Sequence, residues 1–509
     1  MKNKLILSFF MFCFAFGEFQ IDQSSNVHFG TIHRINDLSF IKVPFRLANY
    51  SNRIAYEDFE LNSKLALEFS IKDPISESLF DLEIRELYLS WYSSFGQFNI
   101  GNIIHSWGIL SNNSPTDNLS PVNYYYIFSR GTERKIAQLS LSGDIYLNSH
   151  SLGFVYIPQH KGTEIPFDDP ELPISVPLPK NPTINAVDGF EYGLKYKYSG
   201  GLFDFELSYF DGYDKTMSSL GANLWEASKG SQALESSSTT YIDTVLAYRK
   251  TEVLGVGFST FISDLALKTE FAYFSTDDLV TQAGDLNEGL WNPYPDIYRP
   301  FPGDENDIYK MCEQWYDFSG DDSGCTAEFD QSFHMGTKAN YMQYVLELEY
   351  PLFFDIQLST QFIFHDLLDI SIGLDGEIVE DKIANAQINI DLLPEHNFIP
   401  GMGSPLTIFT LQEHPEWGGT VNLTKSRTVY LNLKKFFLDY TLETNLRTFF
   451  DVMNKGRFIE IEGIYDYNDS WKISSAVNFI TGNTNSGDSY PFNPMQDFSH
   501  FRIEFIYSI

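Results

Sequence analysis

The feature that most limits what this chain can fold into is a period of two, repeated along nearly its whole length in segments of about ten residues. In Leu265–Phe274, Leu265, Leu267, Phe271 and Tyr273 fall on one face, and Lys268 and Glu270 fall on the other. In Met342–Tyr350, Met342, Tyr344, Leu346, Leu348 and Tyr350 oppose Gln343, Glu347 and Glu349. In Phe190–Tyr198, Phe190, Tyr192, Leu194, Tyr196 and Tyr198 oppose Glu191, Lys195 and Lys197. In Leu438–Arg447, Leu438, Tyr440, Leu442 and Leu446 oppose Asp439, Thr441, Glu443, Asn445 and Arg447. Successive residues of a strand point to opposite faces, so each segment turns one side to an apolar medium and the other to water. A soluble sandwich alternates as well. Here the pattern runs on with no Gly/Ser linker, no hinge and no short internal repeat, and no later segment reaches the roughly 18 apolar residues of a membrane helix. The expectation is all-β: a single antiparallel transmembrane β-barrel.

The connections alternate in length. Very short turns are predicted at 94–96, 199–201, 263–264, 353–355, Lys434-Lys435 and 468–470. Long polar connections are predicted at about 108–132, 160–188, 213–238, 276–338, 366–426 and 482–498, with a further hairpin open within 366–426. Short periplasmic turns and long extracellular loops are the outer-membrane arrangement, and the parity gives about 18 strands, with 16 as the alternative. The Pro-rich stretch from Pro158 to Pro182 cannot be a central strand.

Both ends agree with export to that membrane. Lys2 and Lys4 precede the apolar run 5–16, and Ala15-Phe16-Gly17 offers small residues for cleavage, the order of a secretory signal. Residues 1–17 are expected to be removed, leaving 18–509 as the barrel. At the other end Phe501, Ile503, Phe505, Tyr507 and Ile509 alternate with His500, Arg502, Glu504 and Ser508. Such a strand suits the barrel-assembly machinery, although Ile509 stands where a terminal Phe is usual.

Composition supports the medium. Phe, Tyr and Trp make up 16% of the chain, which suits a lipid face with two aromatic girdles. The 34 basic and 68 acidic residues give a net charge of −34, and removing the two signal lysines makes it 32 − 68 = −36. That balance excludes nucleic acid as a partner and leaves membrane lipid and small solutes or ions. Catalysis has little to stand on. The ten histidines are scattered, with no zinc-ligand spacing, Gly-x-Ser-x-Gly elbow or Walker loop. His105 and Ser106 are neighbours whose side chains would diverge on a strand. No reaction and no required cofactor is expected.

Candidate pore residues follow from the inward faces and one connection. Asp117, Asn123, Tyr124 and Tyr125 lie in 107–134, which either folds into the lumen to set the pore size or stays outside with its aromatics in the outer girdle. On the strands the candidates are Glu86, Lys195, Asp204, Glu270, Glu347, Glu443 and Arg447. The full inward set is Glu86, Asp204, Glu206, Glu270, Glu347, Glu349, Asp439, Glu443, Glu460, Glu462 and Glu504 against Arg134, Lys195, Lys197, Arg249, Lys268, Arg447 and Arg502. Eleven acids against seven bases predict a cation-leaning pore. The acidic connection between Asp277 and Asp330 holds 14 acids. Asp304, Asp307, Asp321 and Asp322 there carry carboxylates of the kind Ca²⁺ takes, but without EF-hand spacing, so a solvated surface loop accounts for them better. Cys312 and Cys325 remain after processing and are expected to pair in that connection.

Several segments resemble Gram-negative porin-like proteins of the alginate-export-like group and their relatives in hydrocarbon and small-solute uptake. The stretch Arg85-Glu86-Leu87-Tyr88-Leu89, Gly101, Trp107-Gly108 and 116–121 (Thr-Asp-Asn-Leu-Ser-Pro) is similar to that group's strand–strand–loop pattern. Phe190-Glu191-Tyr192-Gly193 with Gly201, Asp204, Tyr209 and 212–214 resembles its middle hairpin. Arg249, Glu252, Gly255 and Phe258, then Leu267, Glu270 and Tyr273, resemble the next. The resemblance covers much of 81–273 and implies a monomeric or trimeric diffusion channel or a selective porin, with the connection after Trp107 inside the lumen; diffusion of small hydrophilic solutes is the reading adopted. Selective uptake of a hydrophobic or specific organic ligand, and a barrel scaffold for a surface or redox partner, are the other readings in play.

Overall fold

The computed structural model describes residues 19–70, 80–126, 129, 131–164, 183–185, 189–229, 232–233, 240–277, 325–334, 337–372, 427–484 and 492–509. Its first strands are β1 (Gln20–Arg34), β2 (Phe45–Tyr56), β3 (Phe59–Phe69), β4 (Phe80–Ser93), β5 (Gly96–Ile103), β6 (Gln138–Leu147) and β7 (His150–Ile157). Then come β8 (Thr183–Asn185), β9 (Glu191–Ser199), β10 (Phe203–Tyr213), β11 (Ser218–Lys229), β12 (Gln232–Ala233), β13 (Thr240–Ala247), β14 (Lys250–Ile262) and β15 (Leu265–Asp277). The last are β16 (Cys325–His334), β17 (Thr337–Pro351), β18 (Gln357–Ile372), β19 (Arg427–Phe437), β20 (Leu442–Asp451), β21 (Arg457–Asp466), β22 (Trp471–Thr481) and β23 (His500–Ser508).

Eighteen of these strands, all but β8, β11, β12, β13 and β16, form one antiparallel ladder. It closes on itself: β1 pairs with β23 from Asn26 opposite Ser508 to Arg34 opposite His500. Closure satisfies the backbone of every strand and leaves no edge, the condition for crossing a bilayer with strands. The barrel is inverted in polarity relative to a soluble core. Leu254 on β14 is 54% exposed, whereas Glu270 on β15 and Glu347 on β17 are 1% and 0% exposed. Thr251, Val253 and Ser259 on β14 face the lumen and Glu252, Leu254 and Val256 face outward, the alternation that the sequence displays.

Two expectations need correction. The turn placed at Lys434-Lys435 lies later: β19 runs through both lysines to Phe437, and the chain reverses over Leu438, Asp439 and Tyr440, all left-handed with φ of 51°, 54° and 71°. None of the three is a Gly or Asn, the usual occupants of that region, so no local signal marks the turn. Asp439 accordingly sits in a turn and not on the inward face, and Arg134 and Arg249 lie on connections, outside the strands. The connections 160–188, 213–238 and 276–338 are also not purely loops. They carry β8, β11 with β12, and β16, which join β13 in a separate small sheet: β11 pairs antiparallel with β12, β13 and β16, and β8 runs parallel to β13.

Candidate functional site

The connection from β5 to β6 folds into the barrel over its described residues, 104–126, 129 and 131–137. Its path begins at Glu86 on β4, whose carboxylate accepts from the Ile104 amide at 3.1 Å and pairs with Lys64 at 2.6 Å. His105 is buried, its Nε2 2.8 Å from Ser140 Oγ. Burial, with the positive charge of Lys135 adding to it, lowers its pKa to about 4. Asp117 accepts from the Trp107 amide at 3.1 Å and pairs with Lys135, tying the two limbs of the connection together. Lys135 also donates to His105 O at 2.8 Å and to Ser106 Oγ at 2.9 Å. Lys135 thus bridges the two limbs through three contacts.

The tip of the connection, 109–114, reaches the wall formed by β15, β17 and β18 and is latched there. Glu270 accepts four hydrogen bonds: from the amides of Ile109 and Leu110 (the latter 2.8 Å), from Ser114 Oγ at 2.5 Å and from Thr116 Oγ1 at 3.0 Å. Glu347 accepts from Ser111 Oγ at 2.9 Å and from Lys268 Nζ at 3.0 Å, and also from Gln361. Gln361 in turn holds Asn113 at 2.9 Å and the Asn112 carbonyl at 2.8 Å. A carboxylate drawn out of water is tolerable only when its lone pairs are filled, and the loop amides and hydroxyls fill them.

Apolar packing seals one side of the crossing. Trp107 and Leu119 are buried with Val155 and Ile157 of β7, Phe210 of β10, Val253 of β14, Ala272 and Phe274 of β15 and Tyr341 of β17. Leu110 packs on Val345 and Ile363. Glycines on the inner face make the approach possible. A Cβ on Gly193 would stand 2.5 Å from the Trp107 ring, and one on Gly255 2.6 Å from Thr116. Such inward glycines within strands are a signal in the sequence that another segment packs close by.

On the other side a cavity of about 550 Å³ remains, bounded by β1 to β4, β21 to β23 and the connection itself. Arg447 on β20 pairs with Glu460 and, at 2.9 Å, with Glu462. Arg502 reaches the same two acids at 3.1 and 3.3 Å, and His28 lies 2.5 Å from Glu504.

The candidate residues thus separate by place. Glu86, Asp117, Glu270 and Glu347 hold the loop. Asn123 caps the turn 124–126 and bonds Glu164 at 2.6 Å, while the Tyr124 amide bonds the Glu164 carbonyl at 2.9 Å and Tyr125 borders the cavity. Lys195 stands 5.4 Å over the Trp107 ring. Asp204 and Glu443 lie toward the short turns; Glu443 pairs with Lys434 at 2.9 Å. Sequence reasoning missed Arg46 and Arg85, both buried: Arg46 bonds Glu83 at 3.0 Å and stacks on Tyr126 at 3.8 Å, and Arg85 bonds the Lys135 carbonyl at 2.9 Å. β-bulges between Arg46 and Ala48 and between Lys64 and Leu65 shift the alternation there and hide these bases. Cys312, Asp304, Asp307, Asp321 and Asp322 lie outside the described residues; Cys325 opens β16. Among the described residues no cluster of three or more His, Cys, Asp or Glu is placed to hold a metal.

No family model matches the chain and no curated protein does. Solved structures of similar shape include OccAB3 of Acinetobacter baumannii, at 7% identity over 97% of this chain and 99% of that one, with a TM-score of 0.45. A BenF-like porin from Pseudomonas fluorescens is 6% identical over 97% and 98%, with a TM-score of 0.44. OccK2 of Pseudomonas aeruginosa in complex with glucuronate is 8% identical over 96% and 97%, with a TM-score of 0.43. The assignment to a closed 18-stranded barrel rests on the chain's own ladder, and the finer resemblance to an alginate-export-like group draws nothing from these matches.

Proposed function

We propose that this protein is a porin-type channel of the bacterial outer membrane, passing small hydrophilic solutes or ions by diffusion, without a catalytic step or resident cofactor. The observation that carries this reading is the latch of 109–114 onto Glu270 and Glu347 across a closed barrel. The latch crosses the lumen and leaves beside it a cavity lined by charged and apolar groups. A sheath or scaffold has no use for a loop anchored so thoroughly inside its own lumen. The apolar outer face, with Leu254, Leu194 and Ile100 each more than half exposed, supports a lipid setting.

The ionic bias belongs to the same proposal. Arg447 and Arg502 pair with Glu460 and Glu462, and Lys268 pairs with Glu347, so these charges compensate one another locally. A modest cation preference is expected, fading as salt shortens the screening length to about 3 Å at 1 M. Reversal potentials in a dilute KCl gradient test it: potassium favoured over chloride is the expected sign, and chloride favoured would refute the bias.

A further inference from the structure

The cavity beside the latch carries both charged and apolar groups, and the buried Arg46 and Arg85, with Glu133, are part of its wall. Further charged groups come from the middle of the strands: His28 on β1, Lys64 on β3, Glu86 on β4, and Arg502 with Glu504 on β23. The apolar groups come from the end that carries the long connections. There the β1–β2 connection doubles back, with Arg34 N bonded to Ser39 O and Ile41 N bonded to Ile32 O, both at 2.9 Å. This return brings Ile41 against Phe498 and Ile480, with Ile32, Val43 and Tyr125 packed around them. Ile41 and Phe498 are 1% and 3% exposed, so the cluster is fixed, and its half-buried members Ile32, Val43 and Tyr125, joined by Ile104, face the cavity.

We infer that this cavity is a binding station for amphipathic organic solutes, those with an aromatic or branched apolar end and a polar or charged head. The inference rests on the channel reading and names the solute class it favours. A solute entering from the end with long connections meets Ile32, Val43 and Tyr125 first, while its head reaches the Lys64–Glu86 and His28–Glu504 pairs. A volume near 550 Å³ falls in the range of small-molecule sites, which pair mostly apolar walls with a few polar groups. A purely hydrophilic solute of equal charge leaves the apolar groups wet and gains nothing there. The mixed signs of the charged groups make the apolar part of the solute, rather than the sign of its charge, the discriminating feature.

The test is block of the ionic current through the purified barrel in a planar bilayer by matched pairs of ions. Phenyltrimethylammonium is compared with tetramethylammonium, and benzenesulfonate with methanesulfonate. The aryl member of each pair is expected to interrupt the current at about tenfold lower concentration, or about 1.4 kcal/mol. Ile32→Ser and, separately, Val43→Ser should each reduce that ratio while the open-channel conductance stays within about twofold. Equal block by the two members of each pair overturns the inference and leaves the channel reading standing, and so does an undiminished ratio in both variants. A barrel that inserts and passes no current overturns the channel reading, and the inference with it.

Discussion

Glu270→Ala is the perturbation that asks most of the latch. Four donors converge on this one carboxylate, two from backbone amides and two from hydroxyls. Hydrogen bonds to a charged group contribute about 1.5–3 kcal/mol each when removed singly. The four are not additive, and the freed donors rehydrate in a wet lumen, so the net loss is taken as about 3–5 kcal/mol. The latch through Glu347 and Gln361, and the packing of Leu110 on Val345 and Ile363, remain. The tip should therefore leave the wall intermittently, with the detached population rising by roughly two to four powers of ten. Single-channel recording reads this directly: Glu270→Ala should show flicker between the parental conductance and a second level, while the folded barrel survives because its ladder is untouched. A quiet trace at the parental conductance, with residues 109–114 as resistant to protease as before, would refute the assignment of Glu270 as the anchor.

Acid should weaken the same loop at its root. His105 titrates at about 4 in the folded loop, below the ordinary value of about 6.5. The released form therefore takes up a proton first as pH falls. Stability of the docked loop is full above about pH 6.5 and declines through the window down to about 4, by about 3 kcal/mol in total; conductance noise that is flat from pH 7 to 4, or that rises instead on the alkaline side, would contradict this. Arg447→Gln removes one of the two arginines shared by Glu460 and Glu462, so the potassium-to-chloride permeability ratio should rise in dilute salt, and a fall would count against the lumen assignment of that strand. Mass spectrometry of the unreduced protein should find Cys312 joined to Cys325, a closure of a short loop worth about 3 kcal/mol; two free thiols would exclude it.

Much of this architecture is legible in the residues because a barrel writes its two environments into alternate positions. Leu267, Glu270 and Tyr273, or Gln343, Glu347 and Leu348, declare their faces without reference to any neighbour, and a one-residue slip would place charge in lipid. What alternation cannot declare is what stands opposite an inward residue. Glu270 reads as a wall carboxylate facing water, yet it spends its lone pairs on a loop that starts some 160 residues earlier in the chain. Glu86 and Asp117 change meaning in the same way. Gly193 and Gly255 carried the missing information, since each removes a side chain from the inner wall where Trp107 or Thr116 arrives. Where the ladder is irregular the reading fails outright. Bulges at Arg46 and at Lys64 interrupt the period, and the left-handed run Leu438–Tyr440 makes a turn from residues that do not advertise one. The small sheet of β8, β11, β13 and β16 was hidden for a different reason: its strands lie in three separate connections, and only their pairing makes them a sheet.

The central claim is that the barrel is an open channel whose bore is set by the latched connection. Single-channel conductance tests it most directly, comparing the parental protein with a variant in which 108–115 is replaced by a short Gly-Ser link. The account predicts discrete conductance steps for the parent and steps larger by about twofold or more for the variant, with potassium-to-chloride selectivity falling as the passage widens. Steps of equal size in both proteins would contradict the role given to the loop, and a folded, inserted barrel that passes no current in either form would contradict the claim itself.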